Sequence, residues 1–129
     1  MKSTIISILF AVALVGGVAI FSGGALKGKE VASTNNIYME NGKQVIEVTA
    51  KGGYSPNLTA AKSGIPTILR MKTNGTFDCS AGLKIPSLGY QSFLPASGLT
   101  DIEIPTQSAG ASIAGLCVMG MYNFAVNFN

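Results

Sequence analysis

The sequence predicts an all-β domain, a sandwich of short strands, preceded by an N-terminal hydrophobic helix. Three observations carry that prediction. Beyond residue 26 apolar and polar residues alternate over short runs, the period of a strand with one buried face. Five prolines, from Pro56 to Pro105, and glycines at the breaks cut the chain at the spacing of a sandwich or open barrel. No stretch beyond residue 26 keeps a helical period, so about seven strands in two sheets are expected.

The first element is the apolar one. Ser3 to Leu26 carries no charge, and the 18 residues from Thr4 to Phe21 are almost entirely apolar. That run exceeds the ~7–15 residues of a signal-peptide core and matches the ~17–25 that cross a bilayer as a helix. Residues 1–26 are therefore a signal peptide or a membrane anchor, with retention in the membrane through residues 4–26 favoured. The small residues Ser22, Gly23, Gly24 and Ala25 offer the alternative, a cleavage site. Either route places the C-terminal domain in an extracytoplasmic location, periplasmic or at the cell surface, membrane-anchored or secreted. No cysteine lies near the segment, which excludes a lipoprotein anchor.

Residues 27–43 mix charge with Ser33-Thr34-Asn35-Asn36 and Asn41-Gly42 and read as a spacer, with Ile37-Tyr38-Met39 docking on the domain. The domain proper is expected over residues 44–129. Its first strand, Gln44 to Ala50, places Ile46 and Val48 on one face and is broken by Gly52-Gly53. Thr67 to Lys72 turns Leu69 and Met71 inward and Arg70 and Lys72 outward, ahead of the turn dipeptide Asn74-Gly75. Leu99 to Ile104 sets Ile102 and Ile104 against Asp101 and Glu103, and Phe124, Val126 and Phe128 line one face of a last strand.

Composition removes several functions. Beyond residue 26 eight Lys or Arg face six Asp or Glu with no basic cluster, so nucleic acid is not an expected partner. Histidine is absent, and no pair of titratable groups reads as acid and base; an enzyme is not expected.

The side chains with chemistry to offer are Cys79, Cys117, Met119 and Met121, with Asp78 and Tyr122 beside them. Cys117-Val118-Met119-Gly120-Met121 holds three sulfur side chains within five residues. In a strand, residues two apart share a face; in a loop the three sulfurs close round one point, which Gly120 eases by tolerating positive φ. Thiolate and thioether are soft ligands and select Cu(I) over Mg, Ca or Mn. Two structural alternatives stand beside that reading. A Cys79–Cys117 disulfide would close a loop of 38 residues and add about 3–4 kcal/mol. Met119 and Met121 would then fill gaps in the core.

Val45 to Ala50, Gly53-Tyr54-Ser55-Pro56, Ile65-Pro66, Ile85-Pro86-Ser87-Leu88-Gly89 and Cys117-Val118-Met119-Gly120-Met121 together resemble the cupredoxin superfamily. More narrowly, they resemble the histidine-lacking cupredoxin-like modules associated with bacterial copper-export membrane proteins. The resemblance spans about residues 44–129, and Cys-x-Met-Gly-Met is its specific part. It implies a cupredoxin-like Greek-key β-sandwich with a metal site at one end. Carried across, Cys79 takes the place of the usual first histidine, Cys117 that of the loop cysteine, and Met119 or Met121 those of the loop histidine and methionine. The chain departs from the blue-copper pattern in having no histidine, so an all-sulfur set favours Cu(I) and opposes redox cycling.

The expected function is an exported, membrane-tethered copper-binding protein that holds Cu(I) through Cys79, Cys117, Met119 and Met121 for copper homeostasis or delivery. Copper, as Cu(I), is the expected bound ion, and a copper-transporting membrane protein the expected partner. The alternatives are an exported structural or interaction sandwich stabilised by the disulfide, and an electron carrier.

Overall fold

The structure is a computed structural model that describes residues 31–129. The hydrophobic helix expected within residues 1–26 lies outside the described residues. Among the described residues, ten strands form two five-stranded sheets. One runs β1 (Ile37–Glu40), β2 (Lys43–Ala50), β5 (Thr67–Thr73), β8 (Gly98–Ile104), with β3 (Tyr54–Ser55) also paired to β2. The other runs β4 (Leu58–Ala61), β10 (Asn123–Phe128), β9 (Ser112–Cys117), β6 (Gly82–Ile85), β7 (Tyr90–Phe93). Both sheets are mixed, since β2 pairs with β5 and β4 with β10 in parallel while the other pairs are antiparallel. Helix among these residues is confined to two short 3₁₀ turns, Cys79–Ala81 and Pro86–Leu88.

The alternating runs supply the core. Ile46, Val48, Leu69, Met71, Ile102, Ile104, Phe124, Val126 and Phe128, expected inside from their period, are all buried and join one cluster with Leu83, Ile85 and Ile113. Residues of both sheets share that cluster, so the sheets pack face to face. The Tyr54 and Phe124 rings meet edge to face at 5.0 Å across them.

The sheet begins earlier than residue 44. Ile37–Glu40 form β1 inside the stretch read as spacer, in register with β2 from Ile37↔Ile46 to Glu40↔Lys43. Asn41 and Gly42, at φ 53° and 76°, make the two-residue turn between them. Positive φ at both positions matches the twist of a hairpin, so this dipeptide marks a turn within the fold and not a linker. Even Ser33 is fixed, bridging in parallel to Thr59.

Strand direction gathers one end of the sandwich. β2, β5 and β9 finish there at Ala50, Thr73 and Cys117, while β6, β8 and β10 start there; the pairs Thr73↔Gly98, Leu83↔Cys117 and Leu116↔Asn123 fix the level. Asn57 belongs to the same end, its carbonyl accepting from the Ala125 N–H at 2.9 Å.

Candidate metal centre

Cys117 closes β9 on its inward face, two residues beyond Gly115 and four beyond the buried Ile113, and is fully buried. The strand must stop there because the next residues turn. The Gly120 N–H donates to the Cys117 carbonyl at 2.8 Å and the Cys117 N–H donates to the Tyr122 carbonyl at 3.0 Å, closing a tight loop with Gly120 at φ 73°. The loop folds its own amides onto the sulfur: Met121 N–H reaches Cys117 Sγ at 3.2 Å and Tyr122 N–H at 3.5 Å.

Cys79 opens the 3₁₀ turn that follows the Asn74-Gly75 break, half-buried against the core. Asp78 builds that turn. Its carboxylate accepts from the Ser80 N–H at 2.9 Å and from the Ser80 hydroxyl, and its other oxygen accepts from the Gly52 N–H. The turn is tied down from three further directions. The Tyr54 hydroxyl donates to the Ser80 carbonyl at 3.0 Å, the Leu94 N–H to the Ala81 carbonyl at 2.7 Å, and the Thr76 hydroxyl to the Ala50 carbonyl at 2.6 Å. These anchors bring Cys79 against Cys117, both as free thiols.

The two thiols are made unlike by their surroundings. Contact with Cys117, then burial and the nearby negative charge, push the Cys79 thiol above the ordinary range. Burial alone would raise Cys117 as well. The N–H of Tyr122, the Cys79 thiol, and the N–H groups of Met121 and Met119 outweigh it and hold Cys117 below the ordinary thiol value. Burial, with the charges of Cys117, Cys79 and Asp78, pushes the Tyr54 hydroxyl up, so it stays a neutral donor.

Of the four candidates, the two cysteines meet. Met119 and Met121 share the Cys117 loop, but their side chains are 72% and 68% exposed. They do not fill the core, which removes the packing role for them. Among the described residues no three His, Cys, Asp or Glu side chains converge on one point. The residues that position the cysteines, Tyr54, Asp78 and Ser80, carry a weaker sequence signal. Asp two residues before Ser is a capping pattern for the turn, and only the fold shows that the same carboxylate also holds Gly52.

No protein-family model matches the chain, and no curated protein does. Solved structures do. The metal-binding domain of the Cu(I)-exporting P-type ATPase CopA from Streptococcus pneumoniae D39, solved with Cu(I), superposes with a TM-score of 0.61 at 21% identity, over 72% of this chain and 92% of that one. A copper-binding protein solved in solution in its apo form gives a TM-score of 0.64 at 25% identity, over 72% of this chain and 94% of that one. The chain is thus similar in fold to copper-binding domains.

Proposed function

We propose that this chain is an exported, membrane-tethered Cu(I)-binding module of cupredoxin-like type, which holds copper between Cys79 and Cys117 with Met119 or Met121 as a thioether ligand. The observation that carries the reading is the pair of free cysteines at one end of the sandwich, with Cys117 at the head of a loop that also bears two exposed thioethers. The donor set fits the ion. Sulfur ligands are soft, and without imidazole they stabilise the reduced metal and do not build a blue-copper site. The exposed thioethers suit transfer, because a ligand at the surface can be exchanged for one from a partner. A copper-transporting membrane protein is the partner proposed, and the role is binding and delivery rather than catalysis. Copper binding by both structural neighbours, one of them with Cu(I), supports the reading. The apolar run of Thr4–Phe21 supports tethering and export.

The test is an anaerobic competition titration against a Cu(I) chelator. One Cu(I) per chain is expected, with no intense blue band on adding Cu(II). Cys117→Ser should abolish binding, and Met119→Leu or Met121→Leu should weaken it while costing under ~1.5 kcal/mol of stability. Full affinity in both leucine variants would remove the thioethers from the site. A purified chain without free thiols would turn the pair into a structural disulfide.

A further inference from the structure

We propose that the Cys117 end of the sandwich rests on an anionic lipid surface, with Phe77, Phe93 and Val118 as the side chains that enter it. The inference depends on the tethered part of the proposed function and not on copper.

The first observation is where the exposed apolar side chains are. Phe77 and Phe93 are 87% and 76% exposed, and with Val118, Met119 and Met121 they all belong to the loops and strand ends of this one end. Val118 and Phe93 both border Gly82, to within 2.9 and 3.1 Å of where a Cβ would stand. Exposed Leu99 is also near, one residue from the start of β8. Among the described residues the other large exposed apolar residues are Val31, the first of them in the chain, and Tyr38 and Met39 on β1. Soluble surfaces scatter such residues singly; gathered ones are covered by something.

The second observation is the direction from which the chain arrives. The Ser33 N–H donates to the Leu58 carbonyl at 2.9 Å and its carbonyl accepts from Ala60, a parallel bridge. β4 in turn runs parallel to β10, away from the Cys117 loop. The segment beginning at Val31 therefore enters from the Cys117 end. Nine residues lie between Phe21, the last of the apolar run, and Val31, a span of ten Cα–Cα steps. At ~3.3–3.6 Å per residue they reach about 35 Å at most. A bilayer that holds residues 4–21 is thus within a short tether of this end.

The third observation is charge. Lys51 and Lys72 flank this end, where β2 and β5 finish. Its carboxylate, Asp78, is already engaged by Gly52 and Ser80. Two lysines beside an apolar cap match lipid headgroups of negative charge over an acyl boundary.

The chain contains no tryptophan, so one introduced tryptophan reports its own surroundings. Full-length Phe93→Trp, Phe77→Trp and, at the opposite end beside the Asn41-Gly42 turn, Met39→Trp would be reconstituted into phosphatidylcholine–phosphatidylglycerol vesicles with brominated acyl chains. Blue-shifted emission with strong bromine quenching is expected at positions 93 and 77 and neither at 39, with less quenching in phosphatidylcholine alone. A chain that sediments with vesicles yet shows residue 93 no more quenched than residue 39 overturns the lipid contact and leaves the tether standing. A chain that stays in the supernatant overturns both. Emission at 93 that shifts only when membrane proteins are added assigns the cap to a protein partner and overturns the proposal too. Copper titration of the same variants keeps the metal reading separate.

Discussion

Asp78 shows how much one side chain decides. With three donors on one carboxylate, it sets the turn that presents Cys79 and ties that turn to the loop after β2. The Ser80 hydroxyl, with the Ser80 and Gly52 N–H groups, holds the carboxyl below its ordinary value, so it stays ionised through the neutral range. Asp78→Asn keeps the volume but replaces an acceptor with an amide nitrogen that cannot receive Gly52 or Ser80. Outer partners of metal ligands commonly matter by a factor of about 10–100 in affinity. Cu(I) binding is expected to weaken by at least roughly tenfold in Asp78→Asn, with faster amide exchange at Gly52, measured by chelator competition and by hydrogen exchange. Unchanged affinity would show that Cys79 is positioned without it.

At the scale of the element, two features set the sheets. Gly115 on β9 faces Phe124 on β10, and a Cβ at 115 would come within 2.3 Å of the ring. The ring lies over the glycine and from there meets Tyr54. Gly115→Ala must displace it, an overpacking that costs about 1–3 kcal/mol and is read from the shift of the denaturation midpoint. On the outer face of the other sheet, Arg70 of β5 donates to both oxygens of Asp101 on β8, at 2.8 and 3.0 Å, and reaches Glu40 and Tyr38 on β1 at 3.0 and 2.6 Å. One guanidinium thus staples three strands across the sheet. Hydrogen bonding to Arg70 depresses the Asp101 carboxyl. A depressed folded value means the contribution is present above the unfolded carboxylate pKa and is lost as pH falls through the folded one. Protection of β8 amides from exchange is therefore expected to hold at neutral pH and to drop on acidification below about pH 4. Arg70→Ala should remove that pH dependence, and high salt should mute it in the wild type.

For the molecule as a whole, both sheets close on one core. Phe128, at the end of β10, is buried and pairs through its strand with Ala61 of β4. Phe128→Ala leaves a cavity expected to cost about 3–5 kcal/mol, a large part of the roughly 5–15 kcal/mol that holds a domain together. A single cooperative unfolding transition at lower denaturant is the expected result, seen by near-UV and far-UV circular dichroism together. Separate transitions for the two signals would mean that the sheets do not share one core.

The sequence alone determined the β class and the inward residues, because a buried face imposes period two on any strand regardless of its partners. It also named the sulfur residues, since Cys117-Val118-Met119-Gly120-Met121 is local and Gly120 permits the turn. Strands that lack an apolar period were not legible: β4 reads Leu58-Thr59-Ala60-Ala61, and β7 is almost wholly exposed. Such strands exist because neighbours supply hydrogen bonds to their edges, and a neighbour distant in sequence leaves no local mark. The Asn41-Gly42 turn was ambiguous for the same reason, being a hairpin only because β2 waits beyond it. Cys79 and Cys117 are 38 positions apart. Which groups surround each sulfur, and so the direction in which each thiol is shifted, was decided by the tertiary structure, because pKa depends on neighbours in space and not on neighbours in the chain.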